Sequence, residues 1–221
     1  MQMILLHQYY FDIMFVRGGP VPKEQPKKYE HHIMGYVSQW GGMEVGTGML
    51  FSANVVDGLV HQLGGWKLML QCKLLPNIHD DEKCPVGHAV YTYSGGKELE
   101  EQFDKIIHTS PPFFKHHEEP EYHLAQCYRN ALKLAFNRDL YTTNNHYRIA
   151  SPLLGAGARG FPIEKALEIA AEESIRWRDE NCTGDKYDSK TEELVLAFGI
   201  PDLKIAEMLI NKIEKIEANN A

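Results

Sequence analysis

Ser151-Pro152-Leu153-Leu154-Gly155-Ala156-Gly157-Ala158-Arg159-Gly160-Phe161-Pro162 is the stretch that decides the fold. Tyr147 to Leu154 reads as a strand, and it ends in a glycine-rich loop. The loop runs straight into a helix that opens with Pro162, a residue favoured in the first helical turn. Glycines let backbone N–H groups turn inward and approach a ligand closely. The helix start adds unpaired donors and the positive end of its dipole. A phosphate or pyrophosphate is the natural guest. An ordinary tight strand-to-helix connection is the other reading, and short glycine motifs are common enough to keep both open. Arg159 has two readings as well: a fork on a diphosphate, or a side chain pointing to solvent.

Outward from this loop, strand and helix patterns alternate. Upstream, Gly48 to Ala53 reads as a buried strand and Val56 to Leu75 as a helix, weakened in its middle by Gly64-Gly65. Ala89 to Tyr93 and Phe103 to Thr109 read as strands. Glu119 to Arg138 is a helix, with Leu124, Cys127, Tyr128, Ala131, Leu134 and Ala135 on one face. Downstream, Pro162 to Arg178 is a helix, Leu194 to Phe198 a strand, and Leu203 to Ile216 a helix that turns Ala206, Leu209, Ile210, Ile213 and Ile216 inward. The first 46 residues are the least regular: Met3 to Leu6 and Ile13 to Val16 look like strand pieces, and Gly18 to Lys28 is a loop. The alternation predicts an α/β fold with one mixed sheet and helices on both faces. Ligands of such sheets sit beyond the carboxyl ends of the strands. The segments after Ala53 and after Leu154 both lie at such ends, and two loops at one sheet edge can clamp one ligand.

Composition narrows the function. The 221 residues suffice for one domain with a full core. A net charge of −7 argues against a duplex nucleic-acid partner, which needs a basic face. Cys72, Cys84, Cys127 and Cys182 show no CxxC spacing, and so few cysteines suit reduced thiols in an intracellular protein, cytoplasmic or nuclear. No apolar run is long enough to cross a bilayer, so no membrane partner is expected. The apolar start carries His7, Gln8 and Asp12 and has no basic beginning, which favours a buried strand over a signal peptide.

A second constellation is Phe51-Ser52-Ala53-Asn54-Val55-Val56-Asp57-Gly58-Leu59-Val60-His61. Asn54 can hydrogen-bond a sugar hydroxyl. Asp57 can orient a water, and Gly58 lets backbone approach a phosphate. Asn and Asp are also the preferred helix caps, and on spacing alone capping of the helix from Val56 is the favoured reading.

With these residues in view, the chain resembles the macrodomain family, the ADP-ribose-binding three-layer α/β/α fold, from about Gly48 to about Ile213. Ser52-Ala53-Asn54 looks like the end of the family's N-A-A-N strand, and Val56-Asp57-Gly58-Leu59-Val60-His61 is similar to its V-[DA]-G-x-I-H helix start. Gly87-His88-Ala89-Val90-Tyr91-Thr92 is similar to its G-x-A-x-x-T strand. Lys105-Ile106-Ile107-His108-Thr109-Ser110-Pro111 matches its V-I-H-x-x-x-P strand, and Cys127-Tyr128-Arg129-Asn130-Ala131-Leu132 its C-Y-x-N-x-L helix. Ser151 to Pro162 resembles its phosphate loop. Six matches in order, each on the expected element, make the resemblance specific.

The resemblance implies roles. Gly155, Ala156, Gly157, Ala158, Arg159, Gly160 and Phe161 would cradle the ADP-ribose phosphates, with Phe161 packed on the distal ribose. Val56 and Gly58 would approach the pyrophosphate from the other side. Asn54 would bond the ribose, and Asp57 would position an attacking water, as in the family's hydrolase branch. Residues 47–221 would form the core, and 1–46 a strand-and-loop extension of the same domain. The partner would be ADP-ribose or an ADP-ribosylated protein, with no cofactor and no metal.

The chain departs from the family in three places. The G-G-G-V loop that usually follows the asparagine is almost deleted, because Asn54-Val55 runs at once into Val56-Asp57-Gly58. Phe51 stands where the first asparagine of N-A-A-N is usual. No acid stands near Trp40 to Gly42, where the adenine-recognising aspartate belongs; Asp12 takes that role only if residues 14 to 46 are an insertion. Two functions follow: an ADP-ribosyl hydrolase, acting on modified side chains or on O-acetyl-ADP-ribose, or a non-catalytic nucleotide-binding or scaffold module.

Other residues carry less. His31-His32, His116-His117, His79, His88 and His108 lack acid or cysteine partners at ligand spacing, and His108 reads as a core histidine. Trp40 and Trp66 read as core or contact residues before adenine stackers. Lys97 to Asp104 is a solvated loop or a short helical turn.

Overall fold

The computed structural model describes residues 2–6, 43–44, 56–80, 82–137, 146–181 and 193–220. In chain order the elements are β1 (Gln2–Leu6), β2 (Met43–Glu44), α1 (Val56–Leu74), β3 (Glu82–Cys84), β4 (Ala89–Tyr93), α2 (Lys97–Glu100), β5 (Lys105–Thr109), α3 (Pro120–Ala135), β6 (His146–Pro152), α4 (Ile163–Asn181), β7 (Glu193–Gly199) and α5 (Leu203–Asn220). They form two compact units: Met1–Asp12 with Pro111–Ala221, and Ile13–Ser110.

The first unit is a parallel three-stranded sheet in the order β1-β7-β6. β6 and β7 pair from His146↔Glu193 to Pro152↔Gly199, and β1 pairs from Gln2↔Val195 to Leu6↔Gly199. A parallel pair needs a long crossover, which α4 supplies between β6 and β7. Val195, Leu196, Ala197 and Phe198 are all buried in sequence. That unbroken apolar run is what a central parallel strand with two covered faces requires. α4 packs against both α3 and α5. Its buried face is therefore broad and built from small residues, Ala166, Ala170, Ala171 and Ser174, beside Leu167, Ile169 and Ile175.

In α3, Leu124, Cys127, Tyr128, Leu132 and Ala135 are the buried positions. Leu132 therefore takes the inward place expected for Leu134. Ala206 and Leu209 are buried in α5 as expected, whereas Ile210 is 38 % exposed, because the inward stripe is narrower than the apolar pattern.

The second unit holds two antiparallel pairs, β2 with β3 and β4 with β5. β4 and β5 pair from Ala89↔Thr109 to Tyr93↔Lys105, and α1 packs against β4 and α2. Leu59, Leu68, Cys72, Cys84 and Leu99 are its buried apolar residues. α1 is broken at Gly65, which has φ 58 and ψ −153, a backbone region essentially reserved for glycine. The weak middle expected from Gly64-Gly65 is thus a true change of direction. Lys97–Glu100 is a helical turn, as one of its two readings had it, and it buries Leu99. Trp66, next to the break, is 50 % exposed and fills no core. The short pair β2–β3 was not anticipated, since two or three residues carry no period-2 pattern. The expected strands at Ile13 to Val16 and Gly48 to Ala53, and the loop at Gly18 to Lys28, lie outside the described residues.

Candidate functional site

The loop between β6 and α4 lies at the carboxyl end of its strand and at the N-terminus of a 19-residue helix. It is braced from within and from below. Leu154 N–H donates to the Tyr128 hydroxyl at 2.9 Å, which ties the end of β6 to α3. Gly155 then turns with φ 82. A Cβ there would stand 3.0 Å from both Leu124 Cδ2 and Phe161 Cδ2, so only glycine fits this corner. Phe161 N–H returns to Gly155 O at 3.1 Å, and Gly160 N–H to Gly157 O at 3.0 Å. Phe114 N–H donates to Arg159 O at 3.0 Å, fixing the loop's outer limb. Among the described residues, no bond takes up the N–H groups of Gly155, Ala156, Gly157 or Ala158. Gly157 and Ala158 are exposed, and a Cβ at Gly157 would meet nothing within 4 Å. The result is a braced run of backbone donors beside a helix start, exposed at Gly157 and Ala158, a geometry suited to an anion.

Two side chains of this loop pack on neighbouring rings. Phe161 is 4 % exposed and packs on Phe114, ring centroids 5.1 Å apart. The Arg159 guanidinium lies over the Phe113 ring at 4.4 Å. Burial holds the Tyr128 phenol well above the usual tyrosine range, so it stays protonated and keeps its place under the loop.

Val56, Asp57 and Gly58 form the first turn of α1. Asn54 lies outside the described residues, as do Trp40 to Gly42 and Asp12. One turn beyond Asp57, His61 faces a cluster that spacing alone conceals. His61, Cys72 and His108 each offer a ligand atom within 4.8 Å of the others. His108 Nε2 is 2.8 Å from Thr92 Oγ1 and 4.0 Å from Cys72 Sγ. Burial, and then the charge of His61, hold the His108 imidazole down at about 3, so it is neutral. Sequence reading took His108 as a core histidine and found no cysteine at ligand spacing, because the three residues come from both halves of the broken α1 and from β5.

A further pair was also not legible. Glu173, 4 % exposed on α4, accepts from Arg129 Nε at 2.5 Å and Nη2 at 2.7 Å, with Arg176 at 3.3 Å. The only signal was Arg129 inside the Cys127–Leu132 motif.

The Macro domain profile matches residues 45–170, more than half of the chain. A macro domain-containing protein of Listeria monocytogenes is 34% identical over 164 residues, which is 73% of this chain and 84% of that protein. The chain belongs to the macrodomain family. A protein of Klebsiella pneumoniae named O-acetyl-ADP-ribose deacetylase is 34% identical over 122 residues, 55% of this chain and 63% of its own length. Among solved structures, the Oceanobacillus iheyensis macrodomain with ADP matches with a TM-score of 0.60 at 23% identity, over 84% of this chain and 82% of the other. The α/β macrodomain fold expected from the sequence is therefore the fold of this chain. No helix among the described residues is long and apolar enough to cross a membrane.

Proposed function

We propose that this macrodomain binds ADP-ribose through the 155–161 loop and hydrolyses an ADP-ribose conjugate. One observation carries the reading: a braced loop at the end of β6 leaves four consecutive backbone donors beside the start of α4. A diphosphate fits that run of N–H groups, and the helix dipole favours its charge. Gly155 to Phe161 would supply the cradle, mainly through backbone. By resemblance to the family motif, Val56 and Gly58 would approach the pyrophosphate, Asn54 would bond the ribose, and Asp57 would position the attacking water.

Water attacking the acetyl carbonyl of O-acetyl-ADP-ribose would release acetate and ADP-ribose, with the bound diphosphate holding the ester in place. The K. pneumoniae relative's name supports this substrate class; an ADP-ribosylated protein is the alternative partner. The short Asn54-Val55 link supports a second reading, a binding module without turnover, because the segment that usually walls the distal ribose is missing. The parallel pairing of β1 with β7 supports reading residues 1–46 as an extension of the same domain. Cys72, Cys84 and Cys127 are buried thiols, which supports an intracellular location.

Calorimetry with ADP-ribose tests the binding. Gly157→Ala should fold and bind, since its Cβ meets open space. Gly157→Glu should fold as well but lose binding, because a carboxylate then fills the anion's place. Equal affinity in both variants sinks the loop assignment. Turnover of O-acetyl-ADP-ribose that survives in Asp57→Ala removes the role given to that residue.

A further inference from the structure

Two imidazoles and a thiol converge in the second unit. Cys72 is 1 % exposed, and His61 and His108 are half-buried beside it. Their ligand atoms lie within 4.8 Å of one another, and the two imidazole centroids are 6.3 Å apart. His61 and Cys72 both belong to α1, eleven residues apart. On a straight helix that separation is about 16 Å of rise. The break at Gly65 folds the second half of α1 back, so that both residues reach the same ring on β5. Once folded, the cluster is small. Tetrahedral zinc with bonds of about 2.0 Å to nitrogen and about 2.3 Å to sulfur places an N and an S ligand about 3.5 Å apart. His108 Nε2 and Cys72 Sγ stand at 4.0 Å, so a side-chain shift of about half an ångström closes that edge.

We infer that His61, Cys72 and His108 form a three-ligand site for a soft, thiophilic metal ion, best matched by Zn2+. Two imidazoles and one thiolate suit zinc and disfavour the hard cations Mg2+ and Ca2+, which take oxygen ligands. Binding releases the Cys72 thiol proton to water and forms one metal–sulfur and two metal–nitrogen bonds. A metal on His108 Nε2 takes the place of that nitrogen's hydrogen bond to Thr92. The Thr92 hydroxyl, or a water, is then left for the fourth position. The bound ion ties both halves of α1 to β5, one turn from Asp57, and so fixes the helix start. This inference stands apart from ADP-ribose binding, and its test needs no nucleotide.

The full chain is stripped with a chelator, dialysed and titrated with Zn2+ by calorimetry, and in parallel with Co2+ while absorption is followed. One Zn2+ per chain is expected, with a raised thermal midpoint and a thiolate-to-cobalt charge-transfer band. The band should persist in Cys84→Ser and vanish in Cys72→Ser. His61→Gln, a change at a half-buried position, should weaken Zn2+ at least tenfold, and it carries the test if Cys72→Ser does not fold. No thiolate band in the unaltered protein, a band that survives Cys72→Ser, or unchanged Zn2+ affinity in His61→Gln overturns the site.

Discussion

Replacing Tyr128 with phenylalanine removes one oxygen from beneath the glycine loop and shows how that loop is held. Tyr128 is 3 % exposed, and its hydroxyl accepts the Leu154 N–H at 2.9 Å. Phenylalanine keeps the ring beside Phe198, at 6.4 Å between centroids, so packing changes little. What is lost is the partner of a backbone donor at the end of β6. A buried donor left without an acceptor costs about 1–3 kcal/mol. A pH term separates this cause from a general packing defect. Burial keeps the phenol protonated in the folded protein, whereas the unfolded chain ionises near its ordinary value of 10.0. The folded state thus holds a proton that the unfolded state gives up above that pH. Tyr128's contribution is full below about pH 10 and declines as pH rises, by about 1.4 kcal/mol at pH 11. Urea denaturation of both proteins at pH 8 and pH 11 measures it. The gap between them should be about 1–3 kcal/mol at pH 8 and should narrow by about 1.4 kcal/mol at pH 11. The other tyrosines are common to both proteins and cancel in the difference. ADP-ribose should bind the variant several-fold more weakly, because Gly155 loses its brace. A gap below about 0.5 kcal/mol at pH 8, or one that is the same at pH 11, refutes the argument.

Gly65→Ala forces a side chain into φ 58, ψ −153; it should cost about 1–3 kcal/mol in thermal or urea denaturation, although its Cβ meets open space. Glu173→Gln keeps the shape of the α4 side chain but removes the charge that Arg129 and Arg176 share. A loss of about 1–2 kcal/mol is expected, moderated by the half-exposed arginines; a neutral result would place the pair outside the fold's energetics. In ADP-ribose calorimetry, Phe161→Leu should fold with a modest penalty and keep its affinity, since the ring packs on Phe114 and the proposed cradle is backbone. A large loss of affinity would return the side chain to the ribose.

Local pattern carried much of this protein. The helical stripe of Leu124, Cys127, Tyr128 and Ala135, the unbroken apolar run of β7 and the glycine loop at 155–160 are short-range signals, and each marks its element within a few residues. The same signals located the glycine loop between β6 and α4, because a strand end, glycines and a helix start are contiguous in the chain. Edges were less legible. β2 and β3 are too short to show a period, and Ile210 belongs to an apolar pattern wider than the surface that covers it.

Side-chain direction is where tertiary structure ruled. Nothing local says that Phe161 turns onto Phe114, that Arg159 lies over Phe113, or that Tyr128 holds up Leu154 from a helix 26 residues away. Nor could spacing bring His61, Cys72 and His108 together, since their meeting depends on the direction that α1 takes after Gly65. By itself the sequence determined the family, the order of elements and the glycine loop between β6 and α4, all properties of neighbouring residues. Only the folded chain decided which side chains support that loop and which converge on β5, because those contacts join residues that packing alone makes neighbours.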